Sequence, residues 1–173
     1  MFELKISSLR DALQLQPWAT HTISLLDPDF LAISQVPEPS FEQQVLRHYF
    51  HDIGMEKFSS FFHNPKQKPA TAQQIQEILE FTAPLESADK LLVHCHAGLS
   101  RSTAVACGIL CQHGLTPTEA VKYVLSIRSQ AFPNQHVIKL FDDVLELEGQ
   151  LVATASPREI ARLCYDDMQD VEW

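Results

Sequence analysis

Nine consecutive residues near the middle of the chain place a thiol, a glycine and a guanidinium within one short segment, His94-Cys95-His96-Ala97-Gly98-Leu99-Ser100-Arg101-Ser102. Three apolar residues precede the segment, and a run of small, helix-compatible residues follows it. This order predicts a strand, a tight loop and the N-terminus of a helix. A thiol at the start of such a loop and a guanidinium at its end suit the attack of sulfur on phosphorus.

Each part of the segment has a physical reason. A free cysteine has a pKa near ~8.5 and is a poor nucleophile at neutral pH unless its thiolate is stabilised. The N-terminus of a helix offers unpaired N–H groups and a partial positive charge, which favour a thiolate or a phosphate. Arg101 presents a planar fork that can bind two phosphate oxygens at once. We therefore expect the backbone N–H groups of residues 96–101 and Arg101 to bind phosphate, with Cys95 as the nucleophile.

The remaining residues of the segment support these roles. Gly98 allows the backbone to turn inward without a side chain in the way. Ser102 can donate a hydrogen bond to the sulfur and stabilise it as a leaving group. His94 can orient the loop through a ring N–H bonded to a backbone carbonyl. His96 either contacts substrate or faces solvent. The spacing of His94 and His96 matches no recognisable metal-binding motif, so no metal is predicted.

The segment resembles the signature loop of the protein tyrosine phosphatase superfamily and is most similar to the small dual-specificity type. The resemblance runs from about Thr20 to about Leu147. It implies a cysteine-dependent phosphomonoesterase that forms a phosphocysteine intermediate and needs no metal or organic cofactor. Rhodanese-type sulfurtransferases have a shorter loop, low-molecular-weight tyrosine phosphatases carry theirs at the extreme N-terminus, and classical tyrosine phosphatase domains are longer than this chain.

The resemblance also implies a general acid, an aspartate on a loop some tens of residues before the cysteine. Asp52 lies 43 residues before Cys95, directly after a predicted strand. It would protonate the leaving oxygen and then activate water. Asp27 and Asp29 are the alternatives, and Asn134 matches a supporting position near the site or else caps a helix.

Composition narrows the classes of function. The chain has 173 residues and a formal net charge of −9, which argues against general affinity for nucleic acid or an anionic membrane. No apolar stretch approaches the ~20 residues of a membrane span, and no N-terminal signal is recognised.

Four cysteines without disulfide or metal spacing fit a reducing, cytoplasmic location. Cys107 and Cys111 are expected in the core, with a redox role toward Cys95 as the alternative.

The pattern along the chain predicts an α/β domain with a central mixed sheet flanked by helices. We expect one domain over residues 1–173, with a core at about 20–148 and a C-terminal extension at 149–173 that holds a short helix. The predicted strands are Phe2–Ile6, Thr22–Leu26, Val45–Phe50 and Leu91–His94. Helices are predicted after Thr71, from Arg101 to Gln112, after Thr116, from about Asn134 to Leu147 and after Ser156. A long loop follows Asp52 to about Pro69, in which Phe58, Phe61 and Phe62 line the pocket or pack inward.

The substrate is predicted less sharply than the chemistry. A phosphorylated protein or a small phosphoester fits, and the absence of lysine at His96 and Leu99 disfavours an inositol-lipid substrate. Two other hypotheses stay open. The chain is either an enzyme or a phosphate-binding module that no longer turns over, and RNA 5′-triphosphate hydrolysis is a weaker option that the acidic charge disfavours. The oligomeric state is not predicted.

Overall fold

A computed structural model of the protein describes residues 1–30, 36, 40, 42–54 and 66–169. Most of the loop predicted after Asp52, including Phe58, Phe61 and Phe62, lies outside these residues. The strands are β1 (Glu3–Ser8), β2 (His21–Leu26), β3 (Gln44–Tyr49) and β4 (Lys90–Cys95). The helices are α1 (Leu9–Leu15), α2 (Ala72–Thr82), α3 (Arg101–Gln112), α4 (Pro117–Ile127), α5 (Gln135–Val144), α6 (Gln150–Thr154) and α7 (Pro157–Gln169), with a 3₁₀ turn at Gln16–Trp18.

The strands form one sheet in the order β1-β4-β2-β3, and every described pairing is parallel. The predicted central sheet flanked by helices is confirmed, although over the described residues the sheet is parallel rather than mixed. Parallel strands need crossover connections, and these connections place helices on both faces of the sheet. The carboxyl ends of all four strands therefore lie at one edge, where Asp27, Phe50 and Cys95 end or follow β2, β3 and β4.

The two faces of the sheet pack against different helices. Along β4, Leu91 and Val93 point into the main core, whereas Leu92 packs with Ala12 of α1 and Ala19 on the opposite face. This alternation follows from the two-residue period of a strand. The main core also takes in most of α3, in which ten consecutive residues from Arg101 to Leu110 are buried. The helix that follows the nine-residue segment is therefore held rigidly at the centre of the molecule.

Several helices begin at the capping residues that the sequence predicted. Thr71 and Gln74 form a capping box at the start of α2, and Thr116 and Glu119 form a second one at the start of α4. Helix α3 spans the predicted residues, and Asn134 accepts hydrogen bonds from two backbone N–H groups at the start of α5. These ends depend on contacts between residues two to four apart, which sequence patterns record well.

Two helices, α1 and α6, were not predicted. Helix α6 depends on Asp142, a buried residue of α5 whose two carboxylate oxygens accept from Gly149 N at 2.6 Å and from Val152 N at 3.0 Å. Helix α7 is longer than the short helix expected, and its Ile160 and Leu163 join the main core. The organisation of the chain as one domain stays a prediction.

None of the described helices combines the length and the apolar character that a membrane-spanning helix requires.

Candidate active site

The nine-residue segment forms the tight turn between β4 and α3. Gly98 lies at its centre with a φ of +72°, a left-handed conformation that favours glycine. A Cβ atom built on Gly98 would lie 2.5 Å from the carbonyl group of Ser7 and 2.6 Å from the amide nitrogen of Ser8. The end of β1 therefore packs directly against the loop, and it leaves room for no side chain at this position.

Every carbonyl oxygen of residues 96–100 accepts a hydrogen bond from a donor beyond the loop. The donors come from α1, from the end of α4, from the segment before α5 and from within α3. The pairs are Leu9 N to His96 O at 3.1 Å, Arg128 Nη2 to Ala97 O at 3.2 Å, Arg128 Nε to Gly98 O at 3.0 Å, Phe132 N to Leu99 O at 2.8 Å, and Ala104 N and Asn134 N to Ser100 O at 3.1 and 3.2 Å.

This pattern orients the N–H groups of the loop. Because a trans peptide is planar, the N–H of each following residue points away from the carbonyl that is bound. The N–H groups of residues 97–101 therefore face away from these donors. The N–H of Gly98 shows the result directly, since it donates to Cys95 Sγ at 3.2 Å. Such a ring of N–H groups is suited to an oxyanion.

Ser100 precedes α3 at the position where a serine side chain often caps a helix. Its hydroxyl makes no capping bond there, and instead it donates to Asp52 Oδ1 at 2.7 Å. The Ser100 side chain therefore accepts no hydrogen bond from the first N–H groups of α3. They remain open for an anion, with the favourable end of the helix dipole behind them.

Cys95 lies at the base of this ring and is 1% exposed. Its sulfur has two hydrogen-bond partners, the N–H of Gly98 and the hydroxyl of Ser102, whose Oγ lies 3.3 Å away. Both groups can donate to a thiolate, and hydrogen bonds to a charged form stabilise it. The predicted contact between Ser102 and the sulfur is present in the structure.

Arg101 is almost fully buried, with its guanidinium fixed on one side. Nη1 donates to Asp27 Oδ1 at 3.0 Å and to the carbonyl oxygen of Phe50 at 2.7 Å. Nε is buried without a hydrogen-bond partner among the described residues, and it lies 4.0 Å from Asp52 Oδ2. A buried N–H donor without a partner is costly. The Nε side of the fork is therefore the side available to a ligand in the cleft.

Asp52 is joined to the loop and to α5 at the same time. Its Oδ1 accepts from Ser100 Oγ and from Asn134 Nδ2, both at 2.7 Å. Asn134 Nδ2 also donates to the carbonyl oxygen of Ile53 at 3.1 Å, while its Oδ1 accepts from the N–H groups at the start of α5. Asn134 thus caps a helix and holds Asp52 with one side chain. The sequence had offered these as alternatives.

An open cleft of about 600 Å³ lies above the loop. Residues from the carboxyl ends of β2, β3 and β4 line it together with the end of the long loop. They are Asp27, Asp29, Phe30, His51, Asp52, Gln67, His96, Ala97 and Arg101. All three candidate acids, and His96, therefore face one cleft. The described residues contain no cluster of three or more histidine, cysteine or carboxylate side chains arranged to hold a metal ion.

His94 lies beneath the loop and is fully buried. Its Nε2 is 2.6 Å from the hydroxyl oxygen of Ser24, a partner the sequence did not predict. Burial lowers the pKa of His94 to about 4. The ring is therefore neutral at physiological pH, and it connects β2 to the strand that carries the nucleophile.

Cys107 and Cys111 lie one turn apart on α3. Cys107 is fully buried, and Cys111 packs against the main core. Burial raises the pKa of both thiols, that of Cys111 to about 12. Both side chains are therefore protonated at neutral pH and serve as core residues, as predicted.

A family comparison identifies the family of the chain. The sequence profile of the dual specificity phosphatase catalytic domain matches residues 31–143, which include the nucleophile loop, Asp52, Arg128 and Asn134. The chain belongs to the dual-specificity phosphatase family. It is a cysteine-based phosphatase, as the nine-residue segment predicted.

Solved structures share the fold of this phosphatase. Human DUSP28 is 22% identical, with a TM-score of 0.58 over 85% of this chain and 94% of the other. A mouse putative dual specificity phosphatase complexed with zinc tungstate is 22% identical, with a TM-score of 0.59 over 90% and 89%. PTPMT1 in complex with PI(5)P is 18% identical, with a TM-score of 0.53 over 89% and 92%.

The sequence pattern singled out the thiol, the guanidinium and Asp52. The structure places Arg101 and Asp52 in the cleft and buries Cys95 at the base of the loop. The sequence pattern did not reveal the residues that hold the loop carbonyls, above all Arg128, which lies 27 residues after Arg101. An isolated arginine at a helix end gives no pattern that separates it from a solvated side chain. The backbone donors at Leu9 and Phe132 carry no side-chain signal at all.

Proposed function

We propose that this phosphatase hydrolyses phosphomonoesters of protein side chains through a phosphocysteine intermediate on Cys95. In the first step, a sulfur lone pair attacks phosphorus and the bond from phosphorus to the ester oxygen breaks. The leaving oxygen takes a proton from Asp52. In the second step, water attacks phosphorus, gives a proton to Asp52, and displaces the Cys95 thiolate as inorganic phosphate forms.

One observation carries this proposal. Cys95 Sγ lies within hydrogen-bond reach of both Gly98 N and Ser102 Oγ, at the base of a ring of N–H groups whose carbonyls are all bound elsewhere. The N–H groups are fixed before substrate arrives, so they stabilise the three equatorial phosphate oxygens without reorganisation. The roles of Ala97, Gly98, Leu99 and Ser100 in phosphate binding are those of the backbone.

Arg101 completes the phosphate site in this proposal. Asp27 and the Phe50 carbonyl hold Nη1, which leaves the Nε side directed at the ligand. A phosphate there gains a charge-assisted hydrogen bond and removes the unpaired buried donor. We assign Asp27 the role of orienting Arg101.

Asp52 is the general acid that the hydrogen bonds favour over Asp27 and Asp29. Both of its donors contact Oδ1, so Oδ2 stays available to carry the transferable proton. Asp27 Oδ1 is already bound by the guanidinium of Arg101, and the Asp29 side chain is 80% exposed. The Asp52 side chain is 39% exposed and is held beside the loop by its two hydrogen bonds.

The free cysteines and the net charge bear on the location of the protein and on its substrate. The four cysteines are unpaired, and the proposed nucleophile must be a free thiol, which supports a reducing compartment such as the cytoplasm. The acidic net charge supports a protein or small-molecule phosphoester over nucleic acid.

Hydrolysis of a small aryl phosphate by the purified protein is the direct test. We expect turnover that a metal chelator leaves unchanged and that Cys95→Ser abolishes. Tungstate should still bind to the Cys95→Ser variant, because the backbone ring is intact. A folded, reduced wild-type protein that binds tungstate without turning over any phosphoester would instead make this chain a phosphate-binding module.

Asp52→Asn tests the general acid separately. We expect kcat to fall by roughly 10²–10⁴-fold for a phenyl phosphate, the usual contribution of general acid catalysis. The loss should be much smaller for a nitrophenyl ester, whose leaving oxygen needs less protonation. Asp27→Asn and Asp29→Asn are the matched variants, and a larger leaving-group-dependent loss in either one would move the acid there.

A further inference from the structure

The rim of the active-site cleft has an unbalanced charge. Among the described residues that line it, three carry carboxylates (Asp27, Asp29 and Asp52) and one carries a guanidinium, Arg101. When the substrate phosphate binds to Arg101, the carboxylates face the remaining parts of the substrate.

The three carboxylates differ in how far their charge is compensated. Asp27 contacts Arg101, and Asp52, whose side chain is 39% exposed, accepts from the neutral donors Ser100 and Asn134. Asp29 lies at the mouth with its side chain 80% exposed. It is therefore the carboxylate that substrate residues beside the phosphate reach first.

The partner of Asp29 does not cancel its charge. His51 Nε2 lies 3.1 Å from Asp29 Oδ1, while His51 Nδ1 accepts a hydrogen bond from Lys68 N at 2.9 Å. A ring nitrogen that accepts a hydrogen bond carries no proton, so this arrangement has a neutral imidazole that donates through Nε2. The His51 ring therefore fixes the position of Asp29 and leaves a full negative charge at the rim.

A second cavity adjoins the site at His96. His96 also borders a second cavity of about 310 Å³, which Leu9, Arg10 and Leu13 line together with it. The two cavities therefore differ in charge, since Asp29 lines the first and Arg10 lines the second.

We propose that Asp29 makes this phosphatase prefer phosphorylated protein segments with a lysine or arginine on one side of the phosphoresidue. The preference rests on the proposed function, because it concerns groups beside the phosphate that Arg101 and the loop bind. The attraction is between exposed charges in water. It is therefore modest and sensitive to salt.

Four phosphotyrosine peptides test the proposal, with two lysines or two glutamates placed on either side of the phosphotyrosine in turn. For at least one side, we expect kcat/KM to be roughly threefold to tenfold higher for the lysine peptide at low ionic strength. The ratio should approach one when ionic strength rises from about 0.01 M to about 1 M, since the screening length falls from about 30 Å to about 3 Å.

Asp29→Asn and Asp29→Lys show whether this residue is responsible. The ratio should fall toward one in the first variant and invert in the second. Glu80 lies on α2, is exposed and does not line the cleft. Glu80→Gln and Glu80→Lys make the same charge changes and should leave the ratio as it is in the wild type.

The outcomes separate the two proposals. Equal kcat/KM for lysine and glutamate peptides on both sides, with turnover of all four, overturns the role of Asp29 and leaves the phosphatase mechanism intact. A ratio that shifts equally in the Asp29 and Glu80 variants assigns the preference to the net charge of −9 and also overturns it. Absence of turnover with every peptide and with a small aryl phosphate overturns the proposed function itself.

Discussion

Arg128 donates to Gly98 through Nε at 3.0 Å, and its Nη2 reaches the neighbouring carbonyl of Ala97 at 3.2 Å. One side chain thus fixes two successive peptide planes of the nucleophile loop. Their N–H groups, on Gly98 and Leu99, point to the opposite side because each peptide is planar. Arg128 is therefore a positioning residue for the phosphate site, although it does not line the cleft.

Arg128→Ala should weaken the binding of oxyanions. We expect kcat/KM for an aryl phosphate to fall about 10–100-fold, because small displacements in an active site carry costs of this size. The dissociation constant of tungstate should rise in parallel, as measured by calorimetry. Arg128→Lys keeps the charge but lacks the fork, so it should restore only part of the loss. Wild-type tungstate affinity in the alanine variant would show that the loop holds its shape unaided.

Asn134 combines two functions that one pair of variants can separate. Asn134→Asp keeps the oxygen that caps α5, yet it loses the Nδ2 donor to Asp52 and places two carboxylates together. We expect at least a tenfold fall in kcat, while the retained Oδ1 keeps the start of α5 capped. Asn134→Ala removes both functions, so it should also lose about 1 kcal/mol of stability. Equal kcat in the aspartate variant and the wild type would limit Asn134 to helix capping.

Gly98→Ala should disrupt the loop. The added methyl group would lie 2.5 Å from the Ser7 carbonyl, in a backbone conformation with φ of +72°. The control is Gly114→Ala, where φ is +94° and no atom lies within 4 Å of the added carbon. We expect about 1–2 kcal/mol of strain at Gly114 alone. Urea unfolding should show a larger loss for Gly98→Ala, and a similar loss in both variants would contradict the tight contact with β1.

Buried His94 should make the protein sensitive to acid. Its pKa is about 4 in the folded state because of burial, against an ordinary value of 6.5. Between these values the unfolded chain binds more protons than the folded one, so the free energy of unfolding falls as pH drops from about 6.5 to about 4. The full contribution is on the order of 3 kcal/mol.

Urea unfolding across this pH range measures the effect. His94→Asn should lower stability at neutral pH and flatten its decline below pH 6.5. His96→Asn changes an exposed histidine two residues away and should keep the wild-type slope. A slope in His94→Asn identical to the wild-type slope would assign the acid sensitivity to other groups.

The sequence alone determined the chemistry and the local frame of this phosphatase. The spacing of Cys95, Gly98, Arg101 and Ser102 acts over a few residues between a strand and a helix, and such short-range geometry depends little on the rest of the chain. The starts of α2 and α4 were predictable for the same reason, since a cap and its partner lie three residues apart.

Only the tertiary structure decided what surrounds the nucleophile loop. The parallel order β1-β4-β2-β3 brings Asp27, Asp52 and Cys95 to one edge. Arg128, directly after α4, and Asn134, directly before α5, both donate to carbonyl groups of the loop. These two contacts join residues about 30 positions apart, whose pairing depends on how the helices pack. The sequence records their residue types but not their neighbours. The role of Arg128 and the exposed charge of Asp29 therefore emerged only from the folded chain.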